Sequence, residues 1–229
     1  MSTAPGAHSG EFWERLWRSA GLQFVGLFVV AWVIYGNPPG VGAPADAIAA
    51  FYGSHRARVL LGTFFFGLNI LNLLWFTASI RTVLADAGKD GWGAAATAAS
   101  AAFGALFLLQ LSVGAVLAAS GLRSGNSGLA SGLNEFGWAL GVLISFPRAM
   151  LIMAGTFGLW RAAWISSSLF GAGVGAVVLA VLGGSTWQSG GFWAPDGAFA
   201  RFVSPSLLLL WAAVASRVVS KRLPVRAGW

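Results

Sequence analysis

Residues 57–84 read ARVLLGTFFFGLNILNLLWFTASIRTVL. No charged side chain lies between Arg58 and Arg81, and the run is far too long for a buried strand. A helix rises about 1.5 Å per residue, so about 20 apolar residues cross a hydrocarbon layer of about 30 Å. The stretch reads as a membrane-crossing helix with arginine near each end. Its centre carries Asn69 and Asn72, three residues apart and therefore on one helical face.

Working outward, comparable runs lie at about 16–35, 92–119, 135–160, 165–182 and 202–219. The chain is expected to be all-α, a polytopic membrane helical bundle of six transmembrane helices forming one integral-membrane domain over 1–229. Composition agrees. Of 229 residues, 57% are apolar and 9% charged, and the mean hydropathy is +0.74. Soluble domains carry about 25% charged residues, so this chain needs lipid over most of its surface. A transmembrane barrel would instead alternate apolar and polar positions over about ten residues.

Charge supplies the orientation. The formal net charge is +7, from 14 Lys and Arg against 7 Asp and Glu. With the N-terminus inside, Arg15, Arg18, Arg81, Lys89, Arg161, Arg217, Lys221, Arg222 and Arg226 lie on the inner side. Arg56, Arg58, Arg123 and Arg201 lie on the outer side, and Arg148 lies within a span. The positive-inside rule then places both termini in the cytoplasm, and the basic excess records orientation rather than a nucleic-acid partner. Trp17, Trp92, Trp160 and Trp164 fall at inner ends, and Trp138, Trp187 and Trp193 at outer ends, as in aromatic interface belts. Phe12, Trp13, Leu16, Trp17 and Ala20 share a stripe that starts the first helix as an interfacial amphipathic turn.

The absence of cysteine excludes disulfides, thiolate metal sites and thiol nucleophiles. His8 and His55 both lie outside the apolar runs, so no haem ligation is expected. No cofactor and no metal are anticipated. Ser112, Ser145 and 166–168 lie in or beside spans that offer no His or Lys to activate a hydroxyl, which argues against an intramembrane enzyme.

Packing has its own signature. Gly137-x-x-x-Gly141, Gly171-x-x-x-Gly175 and the small-residue block 93–102 allow close helix approach. The third and fifth spans are therefore expected at the centre of the bundle. Two outer-loop stretches, 43–51 and 194–202, match at five of nine positions with a constant offset of 151. Both read as short helices opened by Pro, with Asp in the first turn, that cap the outer mouth. Glu135 is expected to start the fourth span as an N-terminal carboxylate.

Arg148 is the ionisable residue placed well inside a span, 13 residues from both Glu135 and Arg161. An arginine at mid-membrane depth costs about 2.5–3.5 kcal/mol on insertion scales and marks a functional candidate. Pro147 before it lacks an N–H and frees the carbonyl of Leu143. No span supplies a carboxylate for Arg148. Asn69, Asn72 and Gln110 are the polar side chains at similar depth, and an Arg148–Asn69–Asn72–Gln110 cluster is the candidate ligand site. It is read either as an internal hydrogen-bond network, as an anion or headgroup site, or as an arginine that snorkels outward.

The string Phe146-Pro147-Arg148-Ala149-Met150-Leu151-Ile152-Met153-Ala154-Gly155, together with Gly191-Phe192-Trp193-Ala194-Pro195-Asp196-Gly197, resembles uncharacterised multi-pass plasma-membrane proteins of high-GC bacteria. The resemblance implies a helical bundle in a bacterial plasma membrane and brings no activity or catalytic residue with it. The functional expectation is a non-enzymatic accessory or scaffold membrane protein. Its partners would be the lipid bilayer and, through the small-residue faces, further copies or other membrane subunits. The alternative is a small carrier, channel or binder of lipid or a hydrophobic ligand, with an anion-attracting site at Arg148.

Overall fold

The computed structural model describes residues 19–120 and 127–222. The amphipathic stripe from Phe12 to Trp17, and the basic residues Arg15, Arg18, Arg123 and Arg226, lie outside them. The described residues form helices α1 (Ala20–Tyr35), α2 (Ala45–Ser54), α3 (Arg56–Asp86), α4 (Asp90–Ala119), α5 (Ser127–Leu143), α6 (Ser145–Arg161), α7 (Ser167–Leu182) and α8 (Ser204–Ser220). No strand occurs among them. Five helical stretches are long and apolar enough to cross a membrane: Arg56–Asp86, Asp90–Ala119, Gly128–Arg161, Ser167–Ser185 and Phe199–Ser220. The described part of the first helix has 16 residues, about 24 Å of rise, and is shorter than these.

The fourth span begins earlier than its charge pattern indicated. The helix starts at Ser127, so Glu135 sits mid-helix and exposed rather than at an N-terminus. It runs as α5 and α6 with one broken rung. Arg148 N–H donates to the Ile144 carbonyl at 3.1 Å, but Pro147 has no N–H for Leu143.

Helices α3, α4 and α6 form the centre. Phe76, Ile80, Phe103, Leu151 and Ile152 are fully or almost fully buried there. The small face of α4 is what allows this. At Gly93, an added Cβ would lie 2.8 Å from the Arg81 Cα of α3. Likewise, a Cβ at Gly62 would lie 2.8 Å from the Tyr35 Cα, so α1 and α3 touch backbone to backbone. Gly137 and Gly141 behave as their spacing indicated and face Val113 and Gln110 of α4.

The fifth span departs from expectation. In α7 only Gly173 and Ala180 are buried, and it packs mainly on α6 at the edge of the bundle. Gly171 and Gly175 face open space, and Gly173 is the residue that meets Thr156. A small-residue face permits close packing but does not specify which neighbour takes it. The two similar outer stretches also part company. Residues 45–54 are a regular helix, whereas 194–198 are turns leading into a five-residue π-helical turn, Phe199–Val203. Pro205 is the local cause. It has no N–H to offer the Arg201 carbonyl, and the ladder slips to a wider bond from Ser204 N–H to Phe199 O.

Hydroxyl and indole groups cross-link the helices in the apolar interior. Thr77 Oγ1 and Ser100 Oγ are 2.9 Å apart across α3 and α4. Trp211 Nε1 of α8 donates to Thr156 Oγ1 of α6 at 3.1 Å.

Candidate ligand-binding cavity

At the end of the bundle where α1 and α4 finish and α8 begins, the helices part around a cavity of about 200 Å³. Its α4 wall runs from Phe103 to Gly114, about 16 Å of rise, so the cavity reaches the middle of that helix. Aromatic rings form its inner walls. Phe107 stacks on Phe103 with centroids 5.7 Å apart, and Phe66 meets Phe107 edge-on at 5.2 Å. Phe28 completes the wall 5.3 Å from Phe66.

Arg148 stands at the deep end. It is 8% exposed, and its guanidinium carbon lies 5.9 Å from the Phe103 ring centre. Nη1 donates to Ser204 Oγ of α8, and Nε has no partner among the described residues. The π-helical turn aims Ser204 here: the register slip before Pro205 sets which face of α8 the hydroxyl occupies. Among the described residues, no Asp or Glu lines the cavity.

The mouth is a polar clasp between two loops. Arg201 donates through Nη1 to Asn37 Oδ1 at 2.5 Å, and its Nη2 lies 3.8 Å from Asp196 Oδ2. Its guanidinium carbon sits 4.7 Å from the Trp138 ring centre, a cation–π contact. Asp196 also accepts from the Val41 N–H at 3.2 Å. Trp138 Nε1 donates to Pro39 O at 2.8 Å and Asn134 Nδ2 to Gly40 O at 3.0 Å. The turn at 36–41, the 195–201 loop and α5 are thus tied to one another around the opening. Beside them, Arg58 caps the C-terminus of α1 by donating from Nε to Ile34 O at 2.5 Å. Burial holds the Tyr52 phenol of α2 above its usual value, and the adjacent Tyr35 hydroxyl opposes that shift.

Of the four residues singled out in the sequence, the fold brings two together. Arg148 and Gln110 line the same cavity, whereas Asn69 and Asn72 are absent from its lining. Asn69 is fully buried with neither amide atom paired among the described residues. Asn72 is half-buried, with Nδ2 donating to Leu68 O at 3.1 Å in its own helix. Equal depth was the reason for grouping them, and depth says nothing about which side of a helix faces which neighbour. Sequence reasoning missed Ser204, Arg201 as a mouth residue, and the Asn37 turn. The signals were present in Ser204-Pro205, where proline perturbs a helix start, and in Gly36-Asn37-Pro38-Pro39-Gly40.

No known protein family, curated protein or solved structure matches the chain. Fold and site together define an all-helical protein with several helices able to cross a membrane and a polar-ended, aromatic-walled cavity at one end of the bundle.

Proposed function

We propose that this chain is a six-span protein of a bacterial plasma membrane, both termini in the cytoplasm, that binds a small, largely apolar ligand in the cavity between α1, α4, α5 and α8. The observation that carries this reading is the cavity itself. It has loop residues at one end and phenylalanine walls, and it reaches the buried guanidinium of Arg148, which among the described residues makes a single hydrogen bond. A guanidinium serving only to join helices would be expected to spend its donors on carbonyls and amides. In the orientation set by the cations, the mouth faces the outer side. Among the described residues lining the cavity there is no His or Lys that could activate a hydroxyl, which favours binding over catalysis.

The test is direct. In full-length protein in phosphatidylcholine nanodiscs, fluorobenzene should bind saturably above empty discs, read by ¹⁹F NMR line broadening. Gly137→Leu, which fills the cavity from α5, should abolish that binding. Equal signals from loaded and empty discs would remove the reading.

A second reading, a non-enzymatic accessory or scaffold subunit, is favoured by the outward face of α7. A side chain added at Gly171 or Gly175 there would meet no other helix within 4 Å among the described residues. A further copy of the chain or another membrane subunit could pack on that face. Gly171→Leu should then shift the complex to smaller size on native gels, and an unchanged size counts against it.

A further inference from the structure

Resting on the cavity-binding reading above, we infer that the ligand is a small monocarboxylate with an aromatic or alkyl body, its carboxylate held by Arg148. Three observations carry this. Among the described residues, the cavity lining holds Arg148 and Arg201 and no acid, so the Arg148 end presents positive charge without a carboxylate beside it. A buried cation in an apolar surrounding is stabilised by an anion more than by any neutral acceptor.

The geometry at the deep end suits a planar, two-oxygen group. Arg148 is more than nine-tenths buried and lines the cavity, and among the described residues its only side-chain hydrogen bond runs from Nη1 to Ser204. A carboxylate can take one hydrogen from each Nη together, the end-on bidentate arrangement that makes arginine selective for such groups. A phosphate dianion would require a second cation at this depth. The other lining cation, Arg201, is at the mouth and already engaged with Asn37, Asp196 and Trp138.

Size and wall chemistry set the body of the ligand. An apolar cavity of about 150 Å³ accepts benzene. The cavity here, at about 200 Å³, has room for one ring and its carboxylate. The Phe28, Phe66, Phe103 and Phe107 rings offer both stacked and edge-on partners to such a ring.

The experiment compares 4-fluorobenzoate with its neutral isostere 4-fluorobenzamide, using full-length protein in phosphatidylcholine nanodiscs and ¹⁹F NMR with empty discs subtracted. The acid should bind about tenfold or more tighter than the amide. Arg148→Gln should erase that preference, while Arg201→Gln should leave it. Equal binding of acid and amide, both blocked by Gly137→Leu, overturns the carboxylate and keeps the cavity reading. Binding of neither above empty discs overturns both. Acid preference lost with Arg201→Gln instead of Arg148→Gln places the anion at the mouth and overturns the site proposed here. The acid–amide comparison in the unmodified protein decides the ligand class even where Arg148→Gln fails to fold.

Discussion

The guanidinium of Arg148 and the hydroxyl of Ser204, 56 residues apart in sequence, meet in the interior of the bundle and join α6 to α8 through a hydrogen bond from Nη1. A buried arginine with one protein partner and an unpaired Nε adds little to stability in the empty protein. Arg148→Met should therefore keep or raise the melting temperature in detergent while removing the response to 4-fluorobenzoate. A melting temperature lower by several degrees would show that the arginine is a structural strut instead.

Ser204→Ala removes the acceptor and leaves the guanidinium buried without it. The expected cost is about 1–3 kcal/mol, the penalty for stranding a buried donor. Thermal unfolding should show this loss for Ser204→Ala alone. In the double variant Arg148→Met/Ser204→Ala the loss should largely disappear, because no stranded donor remains.

Trp211 and Thr156 form a second polar tie between the same two helices, at 3.1 Å. Thr156→Val keeps the side-chain shape and strands the indole N–H, at an expected cost of about 1–3 kcal/mol. The Arg148 tie and this one are separate contacts, so combining Thr156→Val with Ser204→Ala should give an additive loss. A double-variant loss well short of the sum would reveal that the two ties form one coupled network.

Gly62 and Gly67 make a paired test of helix contact on α3. A methyl at Gly62 would sit 2.8 Å from Tyr35 Cα, whereas Gly67 has nothing within 4 Å. Gly62→Ala must push α1 away and is expected to cost about 1–3 kcal/mol. Gly67→Ala should be neutral or stabilise by up to about 1 kcal/mol through helix propensity. Equal melting temperatures for the two variants would contradict the close approach of α1 and α3.

Arg201 links the 36–41 turn, Asp196 and Trp138 at the cavity mouth. Arg201→Ala should speed amide hydrogen exchange across 37–41 and leave that of α3 unchanged. Arg201→Lys should restore little, because an ammonium cannot stack on the indole as the guanidinium does. Unchanged exchange at 37–41 would show that the clasp does not hold the loops.

Much of the architecture is legible in the residues alone. The uncharged run from Val59 to Ile80 can be little other than a buried helix, and its flanking arginines mark its ends. Pro147 announces the broken rung at Leu143, and Gly137 and Gly141 announce a close helix contact, which the fold makes with α4. Reading failed where a local pattern permits several partners. Gly171 and Gly175 form as good a small-residue face as Gly137 and Gly141, yet α7 lies at the edge and leaves them open. Glu135 carries the mark of a helix start, but the Gly- and Ser-containing turn from Ser127 onward is already helical.

What the sequence determined by itself was the helical class, the approximate positions of the helices long and apolar enough to cross a membrane, and the arginine at mid-helix depth. These follow from period, length and the cost of charge in hydrocarbon, which act residue by residue. Only the tertiary structure decided what Arg148 faces. It set the arginine against Ser204, Phe103 and an open cavity with Gln110, and left Asn69 and Asn72 elsewhere. Rotation of each helix about its axis depends on packing against neighbours distant in sequence, and residues equal in depth can point to opposite sides.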